Sequence, residues 1–103
     1  MDKKEIFKRA ISRLNSLSQN TKENGLVHEK YVTEYHLIIK TLEESDINLE
    51  EFKIPESELT QTIVGSNYVT GEIDYGDYRD VDGTYFTYKL ESLLNYLKFD
   101  NHE

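Results

Sequence analysis

The chain has no cysteine and no tryptophan, a single proline, and only five glycines in 103 residues. Without cysteine, disulfides, thiolate-held zinc or iron, and thiol nucleophiles are all excluded, and a reducing compartment is favoured. Long hydrophobic runs are missing too. The longest, Leu37-Ile38-Ile39, falls far short of the roughly 20 apolar residues that cross a bilayer, and the first residues lack the apolar stretch of a secretion signal. The expectation is a soluble, cytoplasmic protein with no membrane partner.

What is present is acid, tyrosine and periodic leucine. At 103 residues one domain, residues 1–103, is expected, and 37% hydrophobic residues with twelve aromatics suffice for a core. The net charge of -8 is unevenly placed. Residues 1–40 carry an excess of three positive charges and residues 41–103 an excess of eleven negative ones. A basic first helix docked on an acidic remainder is therefore expected, at the modest strength of exposed pairs.

Asp2 can cap a first helix to about residue 18, in which Ile6, Phe7, Ala10, Ile11, Leu14 and Leu17 recur at helical steps. Residues 18–25 read as a loop or frayed end. A second helix is expected from Leu26 to about Glu44, with Val27, Tyr31, Tyr35, Ile38 and Leu42 along one stripe and Val32 and Ile39 widening it. Asn48 and Glu51 have capping-box spacing, Leu49 and Phe52 are apolar plugs, and Pro55 stops that turn before a brief one at 55–59. Between Thr60 and Tyr78 the β-branched residues broken by glycines predict a small hairpin turning through Gly65-Ser66-Asn67. Asp82 caps a third helix, from about Thr84 to Lys98. The fold class expected is mainly α, three principal helices with a small β hairpin between helices 2 and 3, or α+β if the hairpin is larger. Its core is drawn from Phe7, Ile11, Leu14, Tyr35, Ile38, Leu42, Phe52, Phe86, Leu90, Leu94 and Leu97.

The segment from Glu72 to Gly83 invites a calcium-loop reading, because hard cations want several oxygens around a tight turn. The spacing fails. With Asp80, Asp82 and Gly83 at loop positions three, five and six, Tyr78 and Lys89 fall where ligand oxygens are needed; with Asp80 first, Tyr85 falls on the glycine position. The three histidines have no ligand spacing, and His36 reads as a partly buried hydrogen-bonding residue rather than a general base. Gly65-Ser66-Asn67 lacks the nucleophile-elbow pattern, and no glycine-rich phosphate cradle exists. No catalytic, metal or cofactor residues are expected. The basic first helix could hold phosphates or an anionic lipid surface, but Asp2 and Glu5 dilute its field and its stripe is wide enough to be core. Tyrosine offers stiff contact area with a polar tip, which makes Glu72, Asp74, Tyr75, Asp77, Tyr78, Asp80, Tyr85 and Tyr88 the candidate partner-binding residues. A plainer reading stands beside this one, in which the tyrosines cover the core and the acids solvate a loop.

Three phrases carry a resemblance: Glu34-Tyr35-His36; Glu51-Phe52-Lys53-Ile54-Pro55-Glu56-Ser57-Glu58-Leu59; and the C-terminal run Tyr85-Phe86, Lys89-Leu90-Glu91, Leu93-Leu94 and Tyr96-Leu97. Over residues 34–97 the chain resembles a group of short uncharacterised bacterial proteins with no assigned activity, from which it departs in the acid-rich stretch Asp74 to Asp82. The resemblance implies a bacterial or mobile-element origin. The function expected is a non-enzymatic accessory or regulatory protein, from a bacterial defence or mobile-element system, binding another protein with a basic surface and not nucleic acid directly. One alternative is an acidic nucleic-acid mimic inhibiting a nuclease or DNA-binding protein. The other is a hydrolase with an unconventional site, pairing His36 with acids of the loop.

Overall fold

A computed structural model describes residues 2–21 and 25–100. Helix α1 (Lys3–Asn20) begins where Asp2 accepts a hydrogen bond from the Glu5 amide at 2.9 Å, and buries Phe7, Ala10, Leu14 and Leu17 at helical spacing. Of the expected loop 18–25, residues 18–20 are the last turn of this helix, whereas 22–24 lie outside the described residues. The second helix starts later than its periodicity predicts. Leu26–His28 is a strand, β1, and α2 spans Glu29–Glu43. The boundary falls at His28, whose Nδ1 accepts from the Lys30 amide at 2.9 Å and so caps the helix. Val27 is buried in both readings, so the apolar pattern alone did not separate strand from helix.

A 3-10 turn at Glu50–Phe52 inserts Leu49 and Phe52 into the core. Asn48 does not form the expected capping box: Leu49 holds the cap position, and the Asn48 Oδ1 accepts from the Glu50 amide at 3.0 Å, two residues on. A second 3-10 turn, Glu56–Glu58, follows Pro55 as expected. Strands β2 (Thr60–Ser66) and β3 (Ile73–Asp82) then form the hairpin, and α3 (Gly83–Asn95), capped by Asp82, runs into a π-helical end at Tyr96–Asp100.

The sheet is antiparallel and ordered β1-β3-β2, so β3 is central and longer than a small hairpin requires. Its C-terminal end pairs β1 from Leu26 opposite Asp82 to His28 opposite Asp80. The architecture is therefore α+β, the alternative expected for a larger hairpin: α1, α2 and α3 are present, and the hairpin is part of a three-stranded sheet rather than isolated. The hairpin turn also lies beyond Gly65-Ser66-Asn67. The chain reverses between Asn67 and Glu72, where the Asn67 amide donates to the Glu72 carbonyl and Gly71 adopts φ +74°, a left-handed conformation cheap only for glycine. Asn67 Oδ1 accepts from the Val69 amide at 2.9 Å and braces the turn.

The core expected from the apolar stripes forms, with Ile11 packed at its edge rather than buried. The β2–β3 hairpin leaves that core behind. Both strands are largely exposed from Gln61 to Tyr78, and the molecule measures 61 × 22 × 19 Å. Its radius of gyration is 16.4 Å, against about 13 Å for a compact chain of this length. The hairpin is an arm. Arg79 fixes its base: the guanidinium reaches Glu29 of α2 at 3.2 Å and Glu56, while the Arg79 amide donates to Glu29 at 2.9 Å.

Candidate functional site

Of the expected partner-binding residues, Glu72, Asp74, Tyr75 and Asp77 stand exposed on the arm, with Tyr75 53% accessible. Glu72 lies at the turn; the other three follow along β3. Tyr78, nearer the base, stacks on the ring of His28 with centroids 4.0 Å apart and keeps one side open. The two remaining tyrosines belong to α3. Tyr88 is exposed and edges a shallow depression with Thr84, Thr87 and Glu91. Tyr85 is partly buried against the core, where desolvation, then the Glu58 carboxylate, pushes its phenol up.

Asp80 does not belong to the surface. It is 4% accessible and accepts hydrogen bonds from the hydroxyls of Thr62 at 2.6 Å and Thr60 at 3.4 Å. A carboxylate taken from water requires such donors. Asp80 therefore locks β2 to β3 where the arm leaves the body. The acid-rich stretch is an extended strand, not a loop wound around a cation. No group of three or more His, Asp or Glu placed to hold a metal ion occurs among the described residues.

The aliphatic residues beside the acids, unlike the tyrosines, were not anticipated as surface. Ile63, Val64, Tyr68, Val69 and Ile73 are all exposed on the arm, Tyr68 and Val69 almost completely at the turn. Charge on the arm divides by strand: β2 carries none, while Glu72, Asp74 and Asp77 lie at the turn and on β3. The β-branched run of β2 announced a strand, but a half-buried strand shows the same composition. Its exposure follows from the length of the hairpin, which carries β2 past the core instead of laying it against the helices.

His36 is half-buried on α2, and its Nε2 accepts from the Ile54 amide at 3.0 Å, pinning the segment before Pro55. Burial, and then the Lys53 ammonium, hold its pKa below the ordinary histidine value. Glu29 is held below the usual carboxylate range, chiefly by the Arg79 backbone N–H and then, against some desolvation, by the guanidinium. The docking of a basic first helix on acids of the second half is not seen among the described residues. Recorded ion pairs are Arg9–Glu5 within α1, Lys53 with Glu43 and Glu50, and Arg79 with Glu29 and Glu56. The helix docks through Phe7, Leu14 and Leu17 instead, as expected when apolar burial outweighs exposed pairs of about 0–1 kcal/mol.

Compared with protein-family models, curated proteins and solved structures, the chain matches none. Among the described residues no helix is long and apolar enough to cross a membrane.

Proposed function

We propose that this chain acts without catalysis, as a small accessory or regulatory protein that binds another protein through its β2–β3 arm. One observation carries the reading: Ile63, Val64, Tyr68, Val69 and Tyr75 are held in water on an element that projects from the core. Apolar side chains gathered on one projection are the usual mark of an interface, since their burial by a partner supplies the binding energy. The carboxylates among them favour a partner with basic groups and disfavour acidic ones.

The test is a pull-down comparing wild type with an arm variant, Val64→Ser, Tyr75→Ser, Asp74→Asn and Asp77→Asn. These positions are exposed and outside the core, so circular dichroism should report an unchanged fold. Selective loss of a partner by the variant supports the proposal; equal recovery of every partner by both baits overturns it.

The mimicry reading draws on one fact, that no Lys or Arg occurs from residue 54 to 78 while Glu72, Asp74 and Asp77 do. Phosphate mimicry makes affinity fall steeply with ionic strength, whereas an apolar-led contact responds modestly. The exposed valines and isoleucines favour the second behaviour, and a titration at two salt concentrations separates them.

A further inference from the structure

Two surfaces of this chain carry opposite charge that no ion pair among the described residues neutralises across the fold. One is the arm, with Glu72, Asp74 and Asp77 exposed beside Tyr75, Ile63 and Val64. The other lies on the body. Between α1 and α2 runs a groove of about 260 Å³ lined by Ile6, Ala10, Ile38 and Thr41, with Arg9 and Arg13 among its walls. Lys4 and Lys8 are exposed on the same helix, and the α1 base in a recorded ion pair, Arg9, meets Glu5 of its own helix.

The groove has an apolar floor under guanidinium groups, and the arm has apolar and phenolic side chains among carboxylates. Each supplies what the other lacks. The arm projects along the long axis from a base clamped by Arg79, Glu29 and Glu56, a geometry that opposes folding back onto its own α1.

We infer that two copies of this chain associate by exchanging arms, the acidic, tyrosine-bearing arm of each lying over the basic-walled α1/α2 groove of the other. The inference rests on the reading of the arm as a contact element and names the partner as a second copy. Reciprocal exchange closes the assembly at two and uses both complementary contacts, doubling the buried area toward that of a stable dimer.

Sedimentation equilibrium on the full chain tests it with two charge reversals at exposed positions. Wild type should weigh twice the 12.1 kDa monomer. Arg9→Glu with Arg13→Glu reverses the groove; Asp74→Lys with Asp77→Lys reverses the arm. Each should weaken self-association about tenfold or more, because like charges then face each other. An equimolar mixture should regain the dimer, since every arm again meets a groove of opposite sign. A monomeric wild type at its highest soluble concentration, an unchanged mass in either variant, or a mixture that stays monomeric would each overturn arm exchange. The pull-down remains independent: a monomeric wild type whose arm variant still loses a partner removes the second copy and leaves the contact element standing.

Discussion

The hydroxyl of Tyr35 donates a 2.8 Å hydrogen bond to the carbonyl of Phe52, tying the middle of α2 to the turn that precedes Pro55. The same hydroxyl lies 3.2 Å from the Lys89 carbonyl of α3, so one fully buried phenol joins three elements. Burial raises its pKa well above the ordinary tyrosine value, and it remains a donor at all working pH values. Tyr35→Phe keeps the ring against Phe86 and deprives both carbonyls of this donor. The expected cost is about 1–2 kcal/mol, read as a melting temperature lower by roughly 5–10 °C. An unchanged melting curve would show that the hydroxyl adds no stability.

The His36 acceptor makes part of the stability depend on pH. Its folded pKa lies below the unfolded value, so the unfolded chain binds the proton more readily. The contribution is present above the unfolded pKa of about 6.5 and disappears as pH falls through the folded one. Denaturant midpoints should therefore decline as pH drops below that value. In His36→Gln, an uncharged residue with an acceptor oxygen, the decline should be shallower; parallel curves for the two proteins would assign it to other groups.

Asp80 and Asp77 are the same residue type three positions apart on β3, and they should respond unequally to substitution. Asp80→Ala strips a buried acceptor from the Thr60 and Thr62 hydroxyls, at about 1–3 kcal/mol. Asp77→Ala, on the exposed arm, should stay within about 0.5 kcal/mol of wild type. Chemical denaturation of the pair decides, and equal costs would contradict the division between base and arm.

A related contrast separates arm from core. Leu90→Ala empties a site that is 1% accessible and should cost about 2–5 kcal/mol. Ile63→Ser and Tyr75→Ser, though apolar removals, should barely move the thermal transition, because both side chains face water. A large destabilisation by either would mean that the arm is folded into the cooperative unit more tightly than its exposure indicates.

The three α-helices were legible because their apolar residues recur at three- and four-residue steps, and Asp2 and Asp82 advertised two of the starts. Strand β1 was not. Leu26-Val27-His28 continues the apolar rhythm of α2, and only pairing with Val81 and its neighbours, far along the chain, makes those residues extended. The hairpin turn moved because Gly65 stays within β2, whereas Gly71 takes the left-handed conformation. For the same reason eight candidate surface residues could not be told apart by type: Asp80 is buried by threonines of a neighbouring strand, and Tyr85 by packing against the core. Composition located the segment, and pairing decided which of its members meet solvent.

The projecting hairpin also governs how the protein moves through a solution or a column. A particle nearly three times as long as it is wide experiences more friction than a sphere of equal mass. A single copy should elute from gel filtration ahead of spherical standards of 12.1 kDa. Elution volume would then counterfeit a pair of chains where one is present, so stoichiometry has to come from a method blind to shape.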